Sequence, residues 1–306
     1  MNSVRNVIVH YHLFKNGGST LTAALKRNFG SAFAELEASS TDGRLPGSEL
    51  MDIIRARPNV RAASSHTLQP PLPNAQDITV HEIHILRHPL DRLRSIYDFF
   101  RYKGGQHPLV EQAKRLDLPS FLKLVVREWA DLSENSQLRR LASGDRAPER
   151  EDLQKACRML SRAPCIGVVE EYDTSMAVIE HYFCKIFPNL DLSCLPRNVS
   201  IRRLQTMEER LSDLKSQCGS TLYQELLALN ELDTELVKMA ALELQQRALQ
   251  IPSFEAVLRE FRRKQRLRAV TQHILWKYDK GYRSFRRNIV RLTGFVFGID
   301  AADGCF

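Results

Sequence analysis

The 306-residue chain has no run of 18 or more apolar residues, so no transmembrane helix is expected. Its first residues lead almost at once into an apolar β-branched run. A basic n-region followed by an apolar stretch is missing, so no secretory signal is expected either. The six cysteines (Cys157, Cys165, Cys184, Cys194, Cys218 and Cys305) include no C-x-x-C pair and no Cys/His spacing suited to zinc. They read as reduced thiols serving as small apolar side chains, which together with the missing leader favours a cytoplasmic location. Internal repeats and low-complexity segments are also lacking.

What is present is an ordinary apolar fraction of 43%, enough for a real core in one large domain or a domain with an appendage. The net charge of +8 is unevenly placed. Residues 251–306 hold twelve Lys/Arg and five Asp/Glu and so carry +7 of it. The division expected is a main domain over 1–250 and a basic, aromatic-containing helical extension over 251–306.

The most informative stretch is Val7 to Leu21. Val7-Ile8-Val9 favours a strand. Gly17 and Gly18 permit positive φ and close approach. Ser19 or Thr20 is placed to cap a helix continued by Leu21, Ala24, Leu25 and Phe29. A helix N-terminus with free N–H groups favours an anion, and Lys15 adds a full charge at its mouth.

Further along, 31–50 reads as a loop and Glu49 to Arg57 as a short helix ended by Pro58. Asn59 to Ser65 reads as a strand delivering His66, and Val80 to Leu86 as a strand running into Arg87. Pro89 suits the first position of a helix stopped at Gly104-Gly105. Leu118 to Asp131 and Glu151 to Arg162 read as helices, Cys165 to Val169 as a strand. Asp173 or Thr174 is placed to cap a helix to Phe187, and 204–250 is helical nearly throughout. Strands alternating with helices predict an α/β fold, a mostly parallel sheet flanked by helices. Lys15 to Thr20, His66 and Arg87 to Ser95 all fall at C-terminal strand ends, where such sheets bind ligands.

Lys15 precedes the glycines, so the Walker pattern G-x-x-x-x-G-K-S/T fails. The dinucleotide pattern G-x-G-x-x-G fails because the glycines are adjacent. His12-Leu13-Phe14-Lys15-Asn16-Gly17-Gly18-Ser19-Thr20 instead resembles the 5′-phosphosulfate loop H-x-P-K-T-G-G-S/T-S/T of carbohydrate sulfotransferases, notably the heparan sulfate 2-O/6-O group. Phe14 stands where that group usually has Pro, and Asn16 where it usually has Thr. Leu86 to Tyr97 resembles the family's 3′-phosphate segment R-D/H-P-x-x-R-x-x-S-x-Y/F, with Arg87 offering a guanidinium fork and Ser95 a hydroxyl two turns on. Weaker echoes are Glu134 to Leu141, Ile166 to Tyr172 and Leu195 to Ser200. The resemblance covers about residues 10–240.

The resemblance implies a P-loop-like fold and a sulfuryl donor, 3′-phosphoadenosine 5′-phosphosulfate (PAPS). Lys15, Asn16, Gly17, Gly18, Ser19, Thr20, Arg87 and Ser95 would bind it, with no metal required. It implies Lys15 and His66 as catalytic residues, His66 taking the proton of an acceptor hydroxyl, most plausibly on a glycan. An imidazole with a pKa near 6.5 suits that task. His10, His12, His81, His84 and His88 compete for it, with Glu82 as a remote carboxylate alternative. Asn135, Gln137 and Arg139 are candidates to line the cleft, as are Glu170 and Tyr172.

From 254 to 297, Lys/Arg interleave with Phe261, Trp276, Tyr278, Tyr282, Phe285, Phe295 and Phe297. That pattern suits an anionic membrane surface or polymer, or a solvated helix with one face packed on the domain. No specific nucleic-acid partner is expected. The rival functions are an ATP-dependent kinase or nucleotide hydrolase, and a non-catalytic module binding an anionic polymer or membrane.

Overall fold

The computed structural model describes residues 4–38, 43–102, 104–144, 146–162, 165–195 and 205–271. The late loop segment from 196 and the aromatics Trp276 to Phe297 lie outside the described residues.

In chain order the elements are β1 Arg5–Tyr11, α1 Gly18–Phe29, β2 Phe33–Glu35, β3 Leu45–Pro46, α2 Gly47–Ala56, β4 Ala62–Ser65, β5 Leu68–Gln69, β6 Ile78–Leu86 and α3 Pro89–Tyr102. There follow α4 Leu109–Arg115, α5 Leu118–Glu128, α6 Ala130–Ser133, α7 Ser136–Leu138, α8 Arg150–Arg162, β7 Cys165–Val168, α9 Tyr172–Cys184, α10 Met207–Leu229 and α11 Glu231–Leu249. A last described helix spans 254–271. The fold is α/β: a five-stranded parallel sheet of order β2-β4-β1-β6-β7, flanked by helices and followed by a helical C-terminal region.

The apolar run of β1 makes it the centre. Ile8 pairs with Ala62 of β4 on one side and His81 of β6 on the other. Both faces of the sheet are covered, as parallel sheets require. Ile8 and Ile83 pack with Leu21 and Leu25 of α1 and Met176, Ile179 and Phe183 of α9. Val7, Val9 and Tyr11 face Met51 and Ile54 of α2 on the opposite side. Ile166 and Val168 of β7 pack against α8 and α11 through Leu160 and Leu244. A separate helical cluster joins α3, α4, α5 and α10 through Phe100, Phe121, Leu214 and Leu226.

Several local expectations are corrected. The loop over 31–50 contains the edge strand β2, three residues long, and the strand β3 of a two-stranded pair. The helix α1 starts at Gly18 with Gly17 as its N-cap, and neither Ser19 nor Thr20 caps it. Left-handed backbone at Gly17 turns the chain into the helix one residue early. Likewise α9 starts at Tyr172 without a side-chain cap and ends at Cys184, not Phe187. Asp173 bonds Arg262 and Gln265 instead.

The helix over 254–271 is joined to the main core. Leu258 and Phe261 are buried in the cluster that holds Ile8 and Phe183. Lys264 pairs with Glu180 of α9 at 2.8 Å. The five described cysteines are all free thiols. No helix among the described residues is long and apolar enough to cross a membrane.

Candidate active site

The strand order brings three chain segments together. β4, β1 and β6 are neighbours, so their C-terminal ends place His66, the loop Lys15 to Thr20 and Arg87 side by side. From β1 the chain runs to β2 and β4 on one side and later to β6 and β7 on the other. The loop after β1 therefore sits where the winding direction reverses, the usual ligand crevice of an open parallel sheet. A cleft of about 690 Å³ opens there, lined by Lys15, Gly17, Gly18, Ser19, Thr20, His66, Arg87 and Ser95 among others.

The loop is shaped from behind. Lys15 and Gly17 both have positive φ, 66° and 74°. Position 18 has to be glycine, because a Cβ there would lie 2.0 Å from the His12 ring. A Cβ on Gly17 would meet the Tyr172 ring edge at 3.0 Å, and the Tyr172 hydroxyl donates to the Gly17 carbonyl at 3.2 Å. The close approach that the two glycines allow is thus, in this structure, to the protein's own rings. The first turn of α1 has neither a side-chain cap nor an acidic residue, which leaves its end suited to an anion. The Lys15 ammonium lies 4.5 Å from the centre of the Phe99 ring. Phe14 packs edge-on against the same ring at 5.5 Å.

Asn16 is not part of the cleft lining. It is 1% exposed, and its amide donates to the Ile85 carbonyl at 2.8 Å and to Gln137 Oε1 at 2.7 Å. Gln137 is the hub behind two loops. Its Oε1 also accepts from Arg87 N, its Nε2 donates to Arg87 O, and Asp233 accepts from its backbone N–H. Gln137 and Asn135 therefore position the cleft from beneath, with Asn135 Oδ1 accepting from Asp233 N at 2.9 Å. Arg139 reaches the Arg146 carbonyl, away from the cleft. Glu170 and Tyr172 do line the cleft. Glu170 Oε1 accepts from His88 N at 2.7 Å, and burial raises its carboxyl pKa.

Arg87 leaves β6 with its backbone pinned by Gln137. Its Nε donates to Asp91 Oδ2 at 2.8 Å and its Nη1 to the Lys15 carbonyl at 2.9 Å, so it braces the loop across the cleft. Ser95 lines the same α3 wall. Arg92, in the same motif, is buried beneath the loop and donates to the Phe14 carbonyl at 2.9 Å. Burial pushes its pKa down to about 10.

Of the six histidines considered, His12 and His66 line the cleft. His66 is exposed, and its Nδ1 lies 2.9 Å from the His12 carbonyl. A carbonyl can only accept, so Nδ1 carries a proton, and it is the neutral ring that keeps a lone pair at Nε2. The ring lies 3.7 Å from that of His12, and Arg140 donates to the His66 carbonyl. His12 is held neutral: burial first, then the nearby His66 and Lys15, lower its pKa to about 3. Glu82 bonds His84 at 3.1 Å and His81 bonds Asn6 at 2.8 Å, both outside the cleft lining.

The motifs did not reveal the full lining. Asp91, Arg94, Asp98 and Phe99 come from α3; Gln205 to Met207 and Arg210 from the start of α10; Arg262 from the last described helix. Asp91 and Arg94 fall within the Leu86 to Tyr97 segment and Arg262 within the basic extension, whereas no sequence signal marks Arg210. The cleft thus has Lys15 and the start of α1 on one part of its lining, and Arg87, Arg94 and Ser95 on another.

No family model matches the chain. It is 30% identical over 246 residues to an uncharacterized protein of Archaeoglobus fulgidus, an alignment covering 76% of this chain and 94% of that relative. The chain belongs to the same family as that archaeal protein.

Proposed function

We propose that the protein is a PAPS-dependent sulfotransferase that moves a sulfuryl group to a hydroxyl of a carbohydrate. The supporting observation is the convergence of Lys15 to Thr20, His66 and Arg87…Ser95 on one cleft at three adjacent strand ends. The loop and the Arg87…Ser95 segment each resemble a family motif separately, His66 has a role that the resemblance implies, and the fold makes all three neighbours.

In this reading the start of α1 and Lys15 hold the phosphosulfate end, and Arg87 with Ser95 the 3′-phosphate. His66 Nε2, with its lone pair free, accepts the acceptor's proton as the acceptor oxygen bonds to sulfur. The sulfur–oxygen bond to the nucleotide breaks, and Lys15 with the α1 N–H groups stabilises the charge left on that oxygen. Positioning and electrostatics carry the rate, as in phosphoryl transfer.

Calorimetric titration is the direct test. 3′-Phosphoadenosine 5′-phosphate should bind at least about tenfold more tightly than ADP, a difference near 1.4 kcal/mol. Arg87→Ala should remove most of that preference. Equal affinity for the two nucleotides, or Mg²⁺-dependent ATP turnover, overturns the reading. A transfer screen with radiolabelled PAPS over glycans and small alcohols would then identify the acceptor.

A further inference from the structure

Asp91 is 5% exposed at its side chain and serves two guanidiniums from different elements. Its Oδ2 accepts from Arg87 Nε and Nη2 at 2.8 and 2.7 Å, and from Arg210 Nη1 at 2.8 Å. Two guanidiniums share this one carboxylate in a largely buried place, Arg87 and Arg210 being 12% and 19% exposed.

The two arginines are not equivalent. Arg87 spends Nε and Nη2 on Asp91, and Nη1 on the Lys15 carbonyl. Arg210 gives Nη1 to Asp91, while its Nε is buried with no hydrogen-bond partner among the described residues. A buried donor without an acceptor is costly, and this one belongs to a side chain that lines the cleft. Ser95 lines the same cleft on α3, the helix that carries Asp91.

We propose that Arg210 binds the anion directly: α10 supplies the second guanidinium of a two-arginine clamp for a phosphate monoester, and Asp91 is the brace that spaces the pair. A phosphate monoester has three terminal oxygens and about two charges, enough to take the N–H groups that both guanidiniums have left over. Identifying this group as the nucleotide 3′-phosphate rests on the sulfotransferase reading; the clamp rests on the local geometry.

The test is calorimetry on the full chain with 3′-phosphoadenosine 5′-phosphate, adenosine 5′-phosphate and inorganic phosphate. Arg210→Ala should weaken the first by about tenfold or more and leave the second within about twofold. Arg210→Lys keeps a cation for Asp91 but not the fork, and should recover part of the loss. If the alanine variant does not fold, the lysine variant decides by its loss for the first nucleotide alone. Unchanged affinity in both variants overturns the clamp while leaving the sulfotransferase reading intact. If the wild type fails to distinguish the two nucleotides, that reading falls. The clamp is then judged by thermal unfolding with inorganic phosphate: stabilisation of the wild type but not of Arg210→Ala supports it, and equal stabilisation overturns it.

Discussion

Two imidazoles are buried beside the candidate site, and their protonation is tied to folding. His12 has its pKa lowered to about 3, and burial lowers that of His10 in the same direction. In the unfolded chain both titrate near 6.5. Below that value the unfolded state takes up protons that the folded state refuses, so stability is complete above pH 6.5 and is lost as pH falls toward 3. Each such histidine contributes a slope approaching about 1.4 kcal/mol per pH unit. Urea unfolding should therefore give a free energy about 1–3 kcal/mol lower at pH 5.5 than at pH 7.5. His12→Asn should flatten that dependence; the same slope in both proteins would mean that His12 titrates freely in the fold. The sequence marked His12 as a loop residue. Its neutral state, packed against another ring, was not legible, because it depends on Gly18 and on His66, which lies on another strand end.

At the scale of elements, α10 has a break that its length conceals. Gly219, within the helix, has φ 73° and ψ 164°, a backbone region open essentially to glycine alone. The segment before it starts with a capping box, Thr206 and Glu209 bonding each other's backbone N–H, and carries Arg210 to Asp91. The segment after it is anchored by Leu222 and Leu226 in the α3–α5 cluster. Gly219→Ala has open space for its methyl group but not the backbone conformation. It should cost about 1–3 kcal/mol in thermal or urea unfolding. It should also shift the arm bearing Arg210 and weaken nucleotide binding; wild-type stability and binding in this variant would mean that the kink is unimportant. The elements themselves were largely readable, since β1 and β6 are rich in β-branched residues, β7 is a short apolar run and Pro89 opens α3 as expected. The edge strand β2 was not, because three residues in a polar stretch carry no period. Gln137 was read as a cleft residue because a polar side chain on a short helix gives no sign of which way it faces.

For the molecule as a whole, the change in charge near residue 250 does not mark where the core ends. Leu258 and Phe261 are 6% and 2% exposed within the cluster beneath α1 and α9. Burying two such side chains is worth about 1.5–3 kcal/mol each, a large share of an ordinary stability of about 5–15 kcal/mol. A chain ended at 250 should melt at least several degrees lower than one ended at 271, or fail to stay in solution. Equal melting of the 250 and 271 forms would show that the last described helix adds nothing to the core. The basic composition was visible in the sequence, but the apolar stripe that ties this helix to α9 takes its meaning from the partner it meets. The two motifs and His66 each followed a predicted strand, and that was enough to anticipate their convergence. Arg210 and Arg262 reach the same cleft through helix packing alone, which no local pattern encodes.

The lining of that cleft pairs five basic side chains, Lys15, Arg87, Arg94, Arg210 and Arg262, with five acidic ones, Asp91, Asp98, Glu170, Glu171 and Asp173. Arg94 is held by Asp98 at 3.1 Å and Arg262 by Asp173 at 3.3 Å. Seen from beyond a Debye length of about 8–10 Å, such a surface is close to neutral. By themselves these lining charges exert little net pull on an approaching anion, so salt has little of their attraction to screen. Selection falls to contact itself, where an incoming group has to match donors already spaced by the protein's own carboxylates. A crevice of this kind discriminates by how long a ligand stays rather than by how often it arrives.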